Sequence, residues 1–189
     1  MTTAGEEAEL ARLRAEVARL ERRVAELELL ADRDPLLPVL NRRAFVRELG
    51  RALAFQKRYG GEAALVFLDL DGLKRINDGL GHAAGDAALA AVAAVLADHV
   101  RESDVVGRLG GDEFAVLLAQ APLADARAKA DDLAARVRAA VVAHERQRVP
   151  ISASFGVRAL EVDRSAAELL AEADAAMYLA KAARADLAV

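Results

Sequence analysis

The chain has 189 residues, of which 54% are hydrophobic, and its formal net charge is −4 at pH 7. This length suits one domain with an appendage, and the negative balance excludes the basic surface of a nucleic-acid-binding protein. Because the chain has no cysteine, disulfides and thiolate chemistry are excluded. The acidic N-terminus has no apolar signal-peptide core, and the longest near-apolar run, residues 87–97, is too short for a membrane span, so we expect a cytoplasmic protein without a membrane partner.

The first predicted element is a coiled-coil helix over residues 6–31, within an appendage of residues 1–31. Aliphatic residues repeat at the a and d positions of successive heptads, and valine at a with leucine at d favours a parallel two-stranded coil. The alternative is an amphipathic helix that folds back on its own domain. We therefore expect a homodimer through this helix and a separate domain at residues 32–189. The predicted seam consists of Leu10, Leu13, Val17, Leu20, Val24, Leu27 and Ala31.

Beyond this helix, the sequence predicts a domain in which helices and strands are mixed. The order of elements predicts an α+β fold, a mainly antiparallel central sheet flanked by helices, compatible with the palm-like fold of nucleotidyl transferases and cyclases. Such a fold does not by itself determine a function. The predicted helices span residues 41–59, 73–79, 85–101, 123–146 and 165–184, and the predicted strands span residues 63–71, 104–109, 114–118 and 150–158.

The strand predicted at residues 63–71 ends in two carboxylates, Asp69 and Asp71. Because side chains alternate along a strand, both are expected on the same side of the sheet. A buried strand that delivers acidic side chains at its carboxyl end is a common framework for a metal site. The alternative is that the two residues serve as a helix cap and a turn residue.

The segment after this strand, residues 72–86, is rich in glycine, amide, acidic and basic side chains. Lys74 lies about one helical turn from the carboxylates, where a triphosphate would need a countercharge. Asn77 and Asp86 are candidates for reading a base, because a carboxylate accepts two N–H bonds from a guanine edge and an amide both donates and accepts. The alternative for Asp86 is a simple helix cap.

A β-hairpin is predicted around residues 108–114, with Gly110 and Gly111 in its turn and Asp112 and Glu113 directly after them. The glycines allow a tight reversal and let a ligand approach the backbone without a Cβ in the way. If the hairpin neighbours the strand described above, the carboxylates of both converge, and oxygen ligands of this kind suit Mg²⁺ or Mn²⁺. Taken alone, a solvated turn would explain the same residues.

Taken together, these segments resemble the GGDEF family of diguanylate cyclases. The resemblance rests on residues 69–86 followed by residues 108–114. Residues 34–45 look like the family's first segment, and residues 151–157 and 173–181 look like its last strand and last helix. Several separate motifs therefore occur in the family's order, over residues 34–184 in all.

The resemblance implies that two GTP molecules condense to cyclic di-GMP with release of two pyrophosphates. A dimer is implied as well, since each site holds one GTP and one 3′-hydroxyl must attack the other nucleotide's α-phosphate. The implied metal ligands for Mg²⁺ or Mn²⁺ are Asp69, Leu70, Asp112 and Glu113. The implied catalytic residues are Asp69, Lys74, Asp112 and Glu113. The implied substrate contacts are Leu73, Lys74, Asn77, Asp86, Gly110, Gly111, Lys181 and Arg184.

The resemblance also implies product inhibition, because the family's feedback site is an Arg-x-x-Asp placed just before the hairpin. Arg101 and Asp104 stand at that position. An arginine fork can grip a phosphate or a guanine edge, and a carboxylate can accept guanine N–H groups. The alternative is a surface ion pair of little energetic value. The second arginine that completes such a site in the family has no evident counterpart in the sequence.

Two departures from the family pattern leave open how tightly the helix couples to the domain and what the chain's end contributes. Pro38 stands where the family usually has a flexible glycine, and the last helix lacks the glycine that usually precedes an arginine such as Arg184.

Two other functions compete with an active cyclase: a catalytically silent receptor for cyclic di-GMP and a coiled-coil scaffold. The complete set of hairpin glycines and carboxylates favours the active enzyme.

Overall fold

The computed structural model of the chain describes residues 3–145 and 147–186, with the side chains of residues 9–21, 23, 31–145 and 147–182. The chain divides into two compact units, Met1–Arg33 and Asp34–Val189. The first unit contains one helix, α1, which spans Thr3–Asp32. The second unit contains the sheet and the remaining helices.

Helix α1 confirms that the heptad segment is helical. The apolar side chains predicted to form its seam are 48–54% exposed, namely Leu10, Leu13, Val17 and Leu20. A single chain thus leaves an apolar stripe in contact with solvent, which is the surface that a coiled-coil partner would cover. The coil itself stays a prediction. The predicted seam residues Val24 and Leu27 lie outside the described side chains.

The second unit is built on a five-stranded sheet in the order β1 (Leu40–Asn41), β3 (Val105–Arg108), β4 (Glu113–Leu118), β2 (Ala64–Leu70) and β7 (Ala153–Ala159). All neighbouring strands are antiparallel except β1 and β3, which are parallel. The mainly antiparallel α+β fold is therefore confirmed. Two further strands are β5 Val141–His144 and β6 Gln147–Pro150. The helices are α2 Arg42–Tyr59, α3 Leu73–Leu80, α4 His82–Asp98, α5 Leu123–Ala139 and α6 Ala166–Asp186.

Strand β2 lies at the centre of the core because both of its faces are covered. Val66 and Leu68 face the side of the sheet packed by α4 and α5. Leu65 and Phe67 face the opposite side, packed by α2 and α6. Each fully buried aliphatic or aromatic side chain contributes about 1.5–3 kcal/mol. The alternation continues to Asp69, so its carboxylate emerges on the α2 and α6 side at the end of a rigid strand.

The predicted helix over residues 123–146 is wrong beyond Ala139. Ala140 adopts an extended conformation, with φ −67° and ψ 137°, and a separate two-stranded hairpin of β5 and β6 follows. Val142 and Val149 are buried against the core from this hairpin. β-Branched side chains prefer strands. The stabilisation from burying these two valines in a hairpin therefore outweighs the helix propensity of the alanine-rich sequence, from which a continuous helix was predicted.

The other predicted boundaries differ from the observed ones by at most three residues. The helix predicted over residues 85–101 is α4, which begins three residues earlier and ends at Asp98. Gly81, at φ 84°, separates α3 from α4, a conformation that costs glycine little. The two-residue strand β1 was not predicted because so short a segment carries no periodicity. Within the described residues, every helix is too short or too polar to cross a lipid bilayer.

Helix α6 begins with a reciprocal cap between Ser165 and Glu168. The Ser165 hydroxyl and backbone amide both donate to Glu168 Oε2 at 2.8 Å, and the Glu168 amide donates to the Ser165 hydroxyl at 3.2 Å. The backbone hydrogen bond, followed by the hydroxyl, lowers the pKa of Glu168. This capping box satisfies two of the free amides at the start of the helix that covers β7.

Candidate functional site

The predicted strand and hairpin carboxylates meet because β2 and β4 are antiparallel neighbours. Asp69 lies opposite Glu113 in the register, and the amide of Leu70 donates to the carbonyl of Asp112 at 3.0 Å. We call Asp69, Asp71, Asp112 and Glu113 the acidic end. The side chain of Leu70 is buried in the core, so only its backbone carbonyl is available to a metal ion.

The acidic end concentrates negative charge in a partly buried place. Burial raises the pKa of Asp69, and the negative charge of Asp112 raises it further. The hydrogen bond from Lys181 lowers the pKa of Asp69 but does not cancel the effect of burial. Burial also raises the pKa of Glu113, and the nearby charge of Asp174 raises it further. Carboxylates held in this way gain from a cation that offsets their charge.

The donor set fits a metal ion that is shared with a substrate. Among the described residues, no three acidic or histidine side chains are close enough to form a metal cage. Mg²⁺ commonly keeps several waters and is held by one or two carboxylates together with substrate phosphates. The acidic end offers half-buried carboxylates from two adjacent strands and only oxygen ligands, which suits Mg²⁺ or Mn²⁺ in that open mode.

Lys181 of α6 reaches the acidic end. Its Nζ donates to Asp69 Oδ1 and lies 3.6 Å from Asp71 Oδ1. Burial opposes the charged ammonium, but the hydrogen bond and charge of Asp69, then those of Asp71, leave the pKa of Lys181 raised. The hydroxyls of Ser152 and Ser154 both donate to Asp71 at 2.9 Å. Sequence reasoning missed these two serines.

Helix α3 begins directly after the acidic end. Gly72 adopts a left-handed conformation, with φ 72° and ψ 23°, and α3 follows at the next residue. Leu73 packs against the core, so its contact with a substrate would be through the backbone. Lys74 is exposed in the first helical turn. The helix N-terminus and this lysine are both favourable to phosphate groups.

The two predicted base-reading residues share the corner between α3 and α4. Asn77 is half-buried, and Asp86 is exposed in the first turns of α4. A Cβ on Gly85 would lie 2.0 Å from Asn77 Oδ1, so any larger residue there would displace the amide. Sequence reasoning missed Gly85, although a glycine inside a helix is a recognisable signal of close packing.

The turn between β3 and β4 is fixed by an arginine that sequence reasoning did not select. Arg108 donates to the carbonyl of Gly110 at 3.1 Å and to that of Gly111 at 2.7 Å. It also pairs with Asp34 Oδ1 at 3.2 Å, and Arg42 donates to the carbonyl of Leu109 at 3.2 Å. These bonds tie the turn to the segment that precedes α2 and to the first residue of that helix.

The two turn glycines give space for a ligand, and neither uses a left-handed backbone. Among the described glycines, positive φ occurs at residues 60, 61, 72 and 81, so the hairpin turn does not depend on it. A Cβ on Gly110 would lie 2.6 Å from Glu113 Oε2, whereas a Cβ on Gly111 would meet nothing within 4 Å. Gly111 thus leaves the backbone open, and Gly110 leaves room for the Glu113 side chain.

Arg101 and Asp104 lie at the opposite end of the same hairpin, where β3 begins and β4 ends; we call this place the RxxD end. Asp104 Oδ2 accepts from the Arg101 amide at 2.9 Å, and its Oδ1 accepts from the Ala119 amide at 3.0 Å. Within the described side chains, the alternative ion pair between Arg101 and Asp104 is not formed. A cleft of about 390 Å³ opens here, and Lys129 contributes a second cation to its lining.

One predicted substrate contact cannot be placed, because the side chain of Arg184 lies outside the described residues. The acidic end and the remaining predicted contacts come from five parts of the chain. They belong to the end of β2, the start of α3, the α3–α4 corner, the hairpin turn and the last turns of α6.

A profile of the family described as "Diguanylate cyclase, GGDEF domain" matches residues 31–186. The chain is 43% identical over 153 residues to diguanylate cyclase TpbB of Pseudomonas aeruginosa, a match that covers 80% of this chain and 35% of TpbB. It is 37% identical over 153 residues to diguanylate cyclase DgcP of the same species, covering 81% of this chain and 23% of DgcP. The chain therefore spans roughly a third or less of these curated relatives.

Solved structures give the same result for the fold. The structure of the coiled coil and GGDEF domain of DgcB from Caulobacter crescentus, in complex with c-di-GMP, is similar with a TM-score of 0.83 and 29% identity, over 94% of both chains. Diguanylate cyclase SiaD in complex with its activator SiaC, from Pseudomonas aeruginosa, is similar with a TM-score of 0.78 and 30% identity. That match covers 95% of this chain and 72% of SiaD.

Proposed function

Because the chain belongs to the GGDEF domain family of diguanylate cyclases, we propose that it condenses two GTP molecules into cyclic di-GMP and two pyrophosphates. The observation that carries this proposal is the acidic end. The register of β2 and β4 sets Asp69 opposite Glu113, and burial raises the pKa of both carboxyl groups. An open, charged site beside a helix N-terminus suits a nucleotide triphosphate and its metal ion.

The metal ion would take its protein ligands from among the carboxylates of Asp69, Asp112 and Glu113 and the carbonyl of Leu70, and substrate phosphates and water would complete its coordination. When bound, Mg²⁺ or Mn²⁺ supplies neutralisation of the charge that develops on the α-phosphate during in-line displacement. Glu113 would either assist in binding the metal ion or accept the proton of the attacking 3′-hydroxyl.

The substrate would be held along its whole length by groups that surround the acidic end. Lys74 and Lys181 supply countercharge for the phosphates. Asn77 and Asp86 would read the guanine from the α3–α4 corner. The hairpin glycines Gly110 and Gly111 would let the nucleotide approach the backbone, and Leu73 would add a backbone contact. Arg184 would be a further contact to the phosphates.

Two copies of the chain would be needed, since one site holds one GTP. The exposed stripe of α1 supports a parallel coiled coil through residues 1–31, and the domain at residues 32–189 would carry the site. A coil of this kind raises the effective concentration of two half-sites without adding a contact at either one. The solved structure of DgcB, to which this chain is similar, comprises a coiled coil and a GGDEF domain. We place the enzyme in the cytoplasm, where GTP is available.

The RxxD end would bind the product and slow the enzyme. Arg101 is exposed beside the cleft, and its fork is free to turn towards a phosphate or a guanine edge. Asp104 is held in place by two backbone amides, and a carboxylate with two such bonds still has lone pairs for guanine N–H groups. Lys129 in the cleft lining is a candidate for the second cation that the sequence did not identify.

A silent receptor for cyclic di-GMP is the second candidate function, because the RxxD end does not depend on catalysis. The two functions separate when the purified chain is incubated with GTP and Mg²⁺ and the product is identified by mass. The proposal expects cyclic di-GMP and two equivalents of pyrophosphate. Binding of added cyclic di-GMP without any product from GTP would establish the receptor, and neither product nor binding would leave a scaffold.

A further inference from the structure

Asp71 is held differently from the other carboxylates of the acidic end. The hydroxyls of Ser152 and Ser154 donate to its two oxygens, each at 2.9 Å. Its own amide donates to the carbonyl of Ser152 at 2.8 Å. Ser154 is 1% exposed, so its hydroxyl has no access to bulk water and is committed to the carboxylate. Two hydroxyl donors on two oxygens fix both the position and the plane of Asp71.

The two serines come from the strand next to β2. In the antiparallel pairing of β2 with β7, Ser154 lies opposite Asp69 and Ala153 lies opposite Leu70. Ser152 and Ser154 are two residues apart, so alternation places both hydroxyls on one face of the sheet. The register therefore delivers them to the first residue beyond β2, which is Asp71.

Helix α6 lies against this face at a fixed distance. A Cβ on Gly156 of β7 would come within 2.2 Å of the Ala173 carbonyl and 2.4 Å of the Met177 amide. The helix backbone therefore packs directly on the strand, as only glycine permits. Lys181 follows Met177 by about one turn of α6. Its ammonium reaches Asp69, to which it donates, and lies 3.6 Å from Asp71 Oδ1.

Asp71 and Asp69 differ in how available their carboxylate oxygens are to a metal ion. Both oxygens of Asp71 already accept hydroxyl bonds, which leaves Asp69 as the better ligand for a metal ion. A metal ion at Asp69 would compete with the ammonium of Lys181 for the same carboxylate, since both are cations. A lysine has a flexible four-carbon stem, so it needs a second anchor to stay beside the substrate.

We propose that Asp71, fixed by Ser152 and Ser154, is a positioning residue that holds the ammonium of Lys181 where the phosphates of the bound nucleotide lie. This inference rests on the proposed function, because it presumes a nucleotide triphosphate at the acidic end. It assigns Asp71 a role through Lys181, and it assigns none in metal binding. The competing explanation is that Asp71 only joins the end of β2 to β7.

A double-mutant cycle with binding as its readout separates these explanations. The variants are Asp71→Asn, Lys181→Met and the pair, with Asp163→Asn as a control for the loss of one exposed carboxylate. Calorimetry would measure, with Mg²⁺ present, the affinity for a GTP analogue carrying a methylene bridge between the α- and β-phosphates. The same measurement with GMP reports on contacts that need neither the β- nor the γ-phosphate.

Asp71→Asn should weaken binding of the analogue about tenfold and change binding of GMP by less than about twofold, since charge-assisted contacts of this kind carry such differences. In the Lys181→Met background, Asp71→Asn should add less than about twofold. Ser152→Ala should show the same pattern with a smaller effect. Because Ser152 is only half-buried, that variant decides the question if Asp71→Asn does not fold.

Equal losses for the analogue and GMP would overturn the proposal in favour of a structural link. A full loss from Asp71→Asn in the Lys181→Met background would overturn it too, because Asp71 would then act without the lysine. So would failure of the unmodified chain to bind the analogue. If the analogue binds with the expected coupling but GTP yields no cyclic di-GMP, the positioning role stands and the proposed cyclase activity fails.

Discussion

Carboxylate side chains lie at both ends of the hairpin of β3 and β4, and their surroundings differ in hydrogen bonding and burial. At the RxxD end, Asp104 accepts from two backbone amides, at 2.9 and 3.0 Å. At the acidic end, burial and neighbouring carboxylates raise the pKa of Asp69 and Glu113. Asp104 therefore supports the fold, whereas the acidic end holds charge that the fold itself disfavours.

This difference indicates where a ligand is needed. A carboxylate bonded to backbone amides is stabilised by the protein alone. A carboxylate whose ionised form is disfavoured by burial persists where a cation or substrate makes use of it, and such sites commonly cost stability. We therefore expect truncations at the acidic end to lower turnover, and truncations at the RxxD end to lower stability and product binding.

The largest expected effect is on turnover at the acidic end. Asp69→Ala or Asp112→Ala should lower the rate of pyrophosphate release from GTP at least about a thousandfold, because the metal ion that offsets charge at the α-phosphate loses a ligand. The far-ultraviolet circular dichroism should be unchanged. Substantial turnover by either folded variant would contradict the metal assignment.

A smaller loss is expected when the acidic ends of two chains are separated. Deletion of residues 1–31 should leave a folded domain with activity at nanomolar protein lowered about a hundredfold, because the two half-sites lose their effective concentration. Activity should return at high protein concentration or when an unrelated parallel coil replaces the segment. Equal specific activity at all dilutions would show that α1 is not the dimerisation element.

At the RxxD end, the expected effect is on binding. Arg101→Ala should weaken binding of cyclic di-GMP about tenfold or more, as expected for loss of a charge-assisted contact. The initial rate with GTP should stay close to that of the unmodified chain, once bound product has been stripped. Calorimetry measures the affinity for cyclic di-GMP. If the unmodified chain shows no binding in the micromolar range, the RxxD end is not a feedback site.

The smallest expected effect is at a cap that belongs to neither end. Ser165→Ala should lower Tm by roughly 2–4 °C at pH 7 through loss of the capping box and leave turnover unchanged. Because the hydrogen bonds from Ser165 lower the pKa of Glu168, their contribution is complete above the unfolded pKa and is lost as pH falls through the folded pKa. The Tm difference should therefore narrow in acid; a constant difference would contradict the assigned charge.

Local sequence patterns were enough to predict the acidic end. The apolar run of β2, the alternation that aims Asp69, and the glycines of the hairpin are all short-range signals. The motif resemblance added Lys181, which the structure brings to Asp69. The end of α5 was missed because burial of Val142 and Val149 in a hairpin outweighed helix propensity.

The contacts that sequence reasoning missed join segments far apart in the chain. Ser152 lies 81 residues from Asp71, and Arg108 lies 74 residues from Asp34. Neither pairing follows from local spacing, since each depends on the register of β2 with β7 or on the path of the chain before α2. Gly85 lies close to Asn77 in the sequence. Its role, which is to leave room for the Asn77 side chain, follows only from the packing of α3 against α4 in the structure.

The division of roles between the two ends of the hairpin can be measured in one pair of variants, Asp112→Ala and Asp104→Ala, through the initial rate of pyrophosphate release and the free energy of unfolding. We expect Asp112→Ala to abolish the rate and to change the free energy of unfolding by less than about 1 kcal/mol. We expect Asp104→Ala to keep the initial rate but to lower the free energy of unfolding by about 1–3 kcal/mol, because two backbone amides lose their acceptor. The reverse pattern, or equal losses of rate and stability in both variants, would contradict the division of roles between the two ends of the hairpin.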